Sequence, residues 1–277
     1  GYRVNLQARH LAGRKALRIG MIHASDFDTE PNSYFSSALE LGATRASARS
    51  GAQLVTHVVN QRDPGAAAQI IAWIADDQCD GVILTPPFAD DADLVRSLEA
   101  MNCRTVCVAA DPQMAEISAV IGIDDRLAGE DVGRHLLGLG HRSFGFIKGL
   151  EQHRSAESRY DGFLAALAGA GLNAEAVATE RGNFTFRSGH DCAQRLLQGS
   201  TPITALVCAN DDMAAGALLA AHKLGLQIPG DIAITGFDDT PVSEIVWPPL
   251  TTIHQPLRRM GERAAWPACS QSRFAAP

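Results

Sequence analysis

Polar side chains follow several apolar runs of this sequence, at the points where the strands of an α/β protein would end. These residues are Ser25, Asp26, Asp111, Asn210, Asp211, Asp238 and Asp239. Because ligands of parallel α/β sheets bind beyond the carboxyl ends of the strands, these side chains are candidates for ligand contact. Carboxylates accept hydrogen bonds from hydroxyl groups, and Arg159, which opens a predicted helix, donates a fork of them. Together they suit a polyhydroxylated ligand.

Two aromatic residues, Phe35 and Phe184, lie in or beside similar loops. Either ring could stack on the apolar face of a sugar or on a purine ring. The alternative for each acidic residue taken singly is helix capping or turn formation, which uses the same residue types at the same places.

The sequence carries no pattern for catalysis or metal binding that we can identify. It contains no G-x-S-x-G, H-E-x-x-H or Walker motif, its nine histidines are scattered, and none of its six cysteines forms a C-x-x-C pair. We therefore expect no enzymatic activity, no cofactor and no metal site. Cysteines within apolar runs behave as small hydrophobic residues, which fits a reducing cytoplasm.

The elements that would position these residues alternate along the chain from Leu17 onward. The predicted strands span residues 17–23, 52–59, 80–85, 104–109, 119–124, 143–148, 176–180, 204–209 and 231–239. Alanine- and leucine-rich helical stretches separate them. Continuous apolar strands between helices indicate parallel sheets covered on both faces, and nine strands exceed the usual width of one open sheet.

The fold class we predict is α/β, with two doubly wound parallel-sheet lobes and a ligand cleft between them. The N-terminal lobe would comprise residues 16–123 and 250–277, and the C-terminal lobe residues 124–249. The chain would cross back near 249–252. The tail 266–277 has no helical or strand periodicity and is expected to be frayed.

Composition and charge narrow the class of protein. The 277 residues are 46% hydrophobic with a net charge of −7, which excludes a disordered chain, and no apolar run reaches the length of a membrane helix. Residues 1–18 carry +5 and no acid, which leaves −12 for the remainder. A basic arm on an acidic body is typical of a segment that binds a polyanion. The alternative is a solvated basic terminus.

Several segments in order resemble the lactose-repressor (LacI/GalR) family of bacterial transcription regulators. They are "GYRVNLQARHLAGRK", "DGVILTPP", "IGIDDRLAGEDVGRHLLGLGHRSFGFI", "SRYDGFLAALAGAGL", "ANDDMAAGAL", "GLQIPGDIAITGFDDTPVSE" and "PPLTTIHQPLRRMGERAA". The resemblance covers the chain from Gly1 to about Ala265. It implies a fold similar to periplasmic sugar-binding proteins, a homodimer that acts in the cytoplasm without a membrane segment, and a small-molecule effector that changes operator affinity.

The resemblance also implies roles for particular residues. Arg159, three residues before Gly162, matches an effector-binding arginine, and the motifs that contain Phe184, Asn210 and Asp238 match pocket residues; Phe35 and Asp111 match less closely. Residues 1–15 resemble a hinge helix, with DNA contacts implied for Asn5, Ala8, Arg9 and Leu11. The helix-turn-helix of the family is not among these 277 residues, so we expect only weak DNA binding from them.

The identity of the effector stays open at this point. A sugar or sugar derivative is preferred to a purine, because acidic pocket residues beside aromatic rings suit neutral hydroxyl groups. The alternative functions are a solute-binding protein of a sugar transport system, which would lack a reason for the basic arm, and an enzyme on an α/β fold. A fold does not by itself establish a function.

Overall fold

The computed structural model describes residues 16–25 and 34–269. The predicted hinge residues Asn5, Ala8, Arg9 and Leu11, and also Asp26, lie outside the described residues. The described chain divides into two compact units. The first runs to Gly122 and resumes at Pro256, and the second is formed chiefly by Ile123–Gln255.

The first unit is built on a parallel sheet of five strands. Its elements are β1 (Arg18–Ser25), α1 (Tyr34–Ser50), β2 (Gln53–Asn60), α2 (Ala66–Asp76), β3 (Gly81–Leu84), α3 (Ala92–Ala100), β4 (Arg104–Val108) and β5 (Ala119–Ile121). The strand order is β2-β1-β3-β4-β5, with parallel pairing throughout. All four residues of β3 are buried, as expected for a central strand covered on both faces.

The second unit is built on a parallel sheet of four strands. Its elements are α4 (Asp125–Gly138), β6 (Phe144–Lys148), α5 (Arg154–Gly169), β7 (Val177–Arg181), α6 (Phe186–Leu197), β8 (Ala205–Cys208), α7 (Asp211–Lys223), β9 (Ala233–Thr235) and α8 (Pro241–Ile245). The strand order is β7-β6-β8-β9. The last helix, α9 (Leu257–Cys269), packs on the first sheet. The predicted pair of parallel-sheet α/β units is therefore confirmed.

The close packing of α4 on α5 positions the side chains discussed below. A Cβ atom at Gly129 would lie 1.9 Å from the carbonyl oxygen of Arg159, and one at Gly162 would lie 1.8 Å from that of Arg126. Real Cβ contacts are never this short, so both positions require glycine. The two helix backbones approach closely at these points, which brings the Arg159 side chain beside the first residue of α4.

The structure differs from the sequence predictions at four places. Helix α5 begins at Arg154, so Arg159 lies in its second turn and does not open it. Strand β9 has only three residues, because the chain after Thr235 pairs with residues 251–254 and not with the sheet. The same pairing keeps residues 250–255 with the second unit, so the return to the first unit comes at Pro256. Helix α9 continues to Cys269, into the predicted frayed tail.

Candidate ligand-binding site

The centre of the candidate site is the buried guanidinium of Arg159, which is 5% exposed. Its Nε atom donates to Oδ1 of Asp125 at 2.8 Å, and Nη1 donates to the carbonyl of Ala209, just after β8, at 2.8 Å. Nη1 also lies 3.9 Å from Oδ1 of Asp238. The guanidinium carbon lies 3.7 Å from the centre of the Phe237 ring, a cation–π contact. Three segments outside α5 therefore converge on one cation.

Asp238 follows β9 and is held by the segment that returns from residue 251. Its N–H donates to the carbonyl of Ile253 at 2.9 Å, and the Gln255 side-chain amide donates to its Oδ1 at 2.6 Å. Asp238 and Asp239 have φ values of +106° and +54°. Residues other than glycine are rare in this region, and such strain tends to cluster at functional sites. Among the described side chains, Oε1 of the buried Gln255 accepts no hydrogen bond, so one acceptor beside Asp238 is open.

The ionisation of the site is set by burial. Burial raises the pKa of Asp238 to about 7, although the nearby Arg159 lowers it. Burial also raises the pKa of Asp125, against the opposing effect of its ion pair with Arg159. The pKa of His153 is lowered to about 4, first by burial and then by the charge of Arg159. At neutral pH the site therefore combines the Arg159 cation, the Asp238 carboxyl group with its pKa of about 7, and the neutral imidazole of His153.

Phe184 lies beside this imidazole with a constrained backbone. Its φ is +66°, and its ring centre is 4.9 Å from that of His153. A Cβ atom at Gly149 would lie 2.0 Å from the Phe184 ring, so the ring depends on a glycine at this position. The Nδ2 group of Asn210 donates to the carbonyl of Phe184 at 3.0 Å. These contacts place an aromatic face at the carboxyl end of the second sheet.

The side chain of Asn210 is occupied at both ends. Besides the bond to Phe184, its Oδ1 accepts from the N–H of Met213 at 3.0 Å and caps helix α7. Helix capping, the alternative given for the acidic residues after strands, is thus the contact that Asn210 makes. Contact with a ligand stays a prediction for Asn210.

The remaining candidates lie on other elements. Ser25 ends β1, and Phe35 is half-buried in the first turn of α1. Asp111 caps the short 3₁₀ helix Pro112–Glu116 through a bond from the N–H of Gln113 at 2.9 Å. These placements give Asp111 a local structural role, and contact of the three residues with an effector stays a prediction.

Sequence reasoning missed Asp125, His153, Phe237 and Gln255. Asp125 follows the apolar run that ends at Ile123, so the rule that selected Asp238 could have found it. His153 and Gln255 carry no such signal. His153 directly precedes α5, and Gln255 reaches Asp238 only because the chain returns from residue 251. Within the described part of the chain, no three His, Cys, Asp or Glu side chains are grouped as metal ligands. Its helices also include none long and apolar enough to span a bilayer.

Comparison with known proteins gives the same class for sequence and fold. A family model for a periplasmic binding protein-like domain matches residues 134–267. The chain is 26% identical over 259 residues to the probable HTH-type transcriptional repressor ExuR of Bacillus subtilis (strain 168), across 94% of this chain and 75% of that one. It is 32% identical over 207 residues to the HTH-type transcriptional repressor PurR of Mannheimia succiniciproducens, across 74% of this chain and 61% of the repressor.

Solved structures agree with this result. The lac repressor dimer bound to operator and the anti-inducer ONPF has a TM-score of 0.81 and 26% identity, across 97% of this chain and 91% of that chain. The transcriptional regulator CelR–cellobiose complex has a TM-score of 0.80 and 25% identity, across 94% of this chain and 80% of that chain. Sequence and fold thus define a periplasmic binding protein-like α/β domain. Within that class, the chain is similar to the transcription regulators named above.

Proposed function

We propose that this chain is the effector-sensing core of a bacterial DNA-binding transcription regulator, and that its effector is a small neutral sugar. The observation that carries this proposal is the buried Arg159 guanidinium beside the carboxyl groups of Asp125 and Asp238. Donors and acceptors so close together match hydroxyl groups, each of which donates one hydrogen bond and accepts others.

Charge favours a neutral ligand over an acidic one. Asp125 and Asp238 face a single cation, and Asp211 adds a further buried carboxyl close enough to raise the pKa of Asp238. His153 is neutral at pH 7 because its pKa is about 4. A phosphate or carboxylate brought to this site would meet three carboxyl groups and the single cation of Arg159, which already pairs with Asp125. The Phe184 ring supplies an apolar face of the kind that stacks on a pyranose.

The relatives support the regulatory part of the proposal. Both curated relatives are repressors, and the similar solved structures include a repressor dimer on its operator and a regulator with cellobiose. We propose that this chain also forms a homodimer, that the full-length protein binds operator DNA in the cytoplasm, and that it catalyses no reaction. Ile245 and Trp247 are 76% and 81% exposed, and such apolar side chains are typical of surfaces covered by a partner.

The proposed regulation requires the effector to bind two states of the protein with different affinity. An effector shifts operator affinity only through this difference, which is commonly about 1–3 kcal/mol. Effector binding by the chain itself is the part that can be measured directly.

A thermal-shift assay of the purified chain tests the site. Cellobiose, glucose and galactose serve as neutral sugars, with glucose 6-phosphate and the purine hypoxanthine as acidic and aromatic alternatives. We expect a neutral sugar to raise the melting temperature, and Arg159→Met and Asp238→Ala to abolish this increase. Arg134→Met, at an exposed arginine of α4, should keep it. An unchanged increase in both site variants contradicts the site assignment, and a response to glucose 6-phosphate or hypoxanthine alone contradicts the neutral sugar.

A further inference from the structure

A fully buried carboxylate stands next to the site without touching Arg159. Asp211 is the first residue of α7 and is 0% exposed. Its Oδ2 accepts from the N–H and the hydroxyl of Thr240 at 2.7 and 3.0 Å, and its Oδ1 accepts from the hydroxyl of Thr252 at 2.6 Å. We call Asp211, Thr240 and Thr252 the Asp211 clamp.

The Asp211 clamp joins the two segments that hold Asp238. Thr240 comes two residues after Asp238, and Thr252 belongs to the returning segment whose Ile253 carbonyl and Gln255 side chain bond to Asp238. Both segments are therefore fixed to the same carboxylate. A Cβ atom at Gly236 would lie 2.2 Å from Oδ1 of Asp211, so the start of the loop also lies directly against it.

The loop between these anchor points adopts an unfavourable backbone. Asp238 and Asp239 both have positive φ values, which persist only where surrounding contacts enforce them. Burying the Asp211 carboxyl is itself unfavourable and raises its pKa, against the lowering effect of its three hydrogen bonds. A buried polar group that serves only local folding could be replaced by an apolar contact. The hydrogen bonds of Asp211, in contrast, hold a strained loop in one conformation.

We propose that Asp211 is a positioning residue of the effector site, which holds the Asp238 carboxyl against Arg159 and Gln255 through the Asp211 clamp. The inference rests on the proposed function, because it assigns the clamp to effector recognition. Without the clamp, the 236–240 loop would relax to ordinary φ values and the Asp238 carboxyl would turn toward solvent.

The first test uses no ligand and reads the environment of Asp238 through its titration. Arg159, Asp211 and Asp212 are charged groups that act on this carboxyl, and Asp125 pairs with the same Arg159. The unfolding constant is measured in urea at pH 5 and pH 8, once for a protein with Asp238 and once for its Asp238→Asn counterpart. The ratio of the two constants is then taken at each pH. With the Asp238 pKa at about 7, this ratio changes by up to about 100-fold between the two pH values in the wild-type background.

Three further backgrounds separate positioning from charge. Asp211→Asn removes the carboxyl charge and one of its two acceptor oxygens, whereas the double variant Thr240→Val, Thr252→Val keeps the carboxyl and removes two of the three bonds. Asp212→Asn is the matched control, since it removes a neighbouring charge that also acts on Asp238 but leaves the clamp intact. We expect the change in this ratio of unfolding constants between pH 5 and pH 8 to fall below about 3-fold in both clamp variants. In Asp212→Asn the change should stay above about 10-fold.

A merely structural clamp would lower the stability of the variants but leave the large pH-dependent change in place, and that result overturns the proposal. If Asp211→Asn does not fold, the threonine double variant decides the question alone.

The second test is calorimetric titration with whichever neutral sugar stabilises the wild type. Its affinity should fall at least about 10-fold in both clamp variants and stay within about 2-fold in Asp212→Asn. An unchanged affinity overturns the assignment to recognition. A wild type that binds none of the sugars contradicts the proposed function instead, and the ligand-free test still decides whether the clamp positions Asp238.

Discussion

The Asp238→Asn variant allows a ligand-free measurement of how far folding shifts the pKa of the Asp238 carboxyl. Burial raises the pKa of the Asp238 carboxyl from an ordinary 3.8 to about 7. Between these values the native state holds a proton that the unfolded chain has released. The stability of the native state therefore falls as pH rises from about 4 to 7. The contribution of Asp238 to stability is largest at acidic pH.

The magnitude follows from the width of this interval. One unit of pKa corresponds to about 1.36 kcal/mol, so the two units between pH 5 and a folded pKa of about 7 amount to about 2.7 kcal/mol. Asn has nearly the size of protonated Asp, can accept the bond from Gln255 and does not titrate. We expect the free energy of unfolding of Asp238→Asn, relative to the wild type, to increase by about 2–3 kcal/mol from pH 5 to pH 8.

The comparison between the two proteins is necessary because other groups titrate in the same range. The pKa of His153 is lowered to about 4, so its contribution to stability is lost as pH falls from about 6.5 and opposes the trend from Asp238. This contribution cancels in the difference between the proteins. Urea unfolding followed by circular dichroism at pH 5, 6, 7 and 8 gives that difference. A difference independent of pH would show that the Asp238 carboxyl is not held in a buried environment, and the description of the site would be wrong.

Two further predictions concern the packing and capping of the units. Gly162→Ala places a methyl group 1.8 Å from a backbone oxygen of α4 and should destabilise the second unit by about 1–3 kcal/mol; Gly169→Ala, at the open end of the same helix, should leave stability unchanged or raise it by up to about 1 kcal/mol. Equal urea midpoints for these variants would contradict the close approach of the helices. Asp91→Ala removes the carboxylate that accepts from two N–H groups of α3 and should reduce the stability of the first unit by about 1 kcal/mol, whereas Asp91→Asn should retain most of it. Equal losses in both Asp91 variants would show that the cap is not the cause.

The sequence by itself determined the class of the fold. Runs such as Gly81–Leu84 and Ala205–Cys208 are apolar at every position, and a strand of this kind is stable only when helices cover both faces of its sheet. This prediction succeeded because it depends on local hydrophobic patterns. The strand-end rule also selected Asp238, which the structure places 3.9 Å from Arg159, and its contact with an effector stays a prediction.

The role of each polar residue after a strand was decided only by tertiary structure. Asn210 and Asp238 occupy equivalent places in the sequence pattern, yet the Asn210 side chain caps α7 while the Asp238 carboxyl faces a guanidinium. Asp125 reaches Arg159 because glycines let two helices touch, and Gln255 reaches Asp238 because the chain returns from residue 251. A sequence pattern indicates which residues of a segment face the core and which face water. It does not indicate which distant segments contact one another, and it is this contact that removes water from Asp238 and sets its pKa.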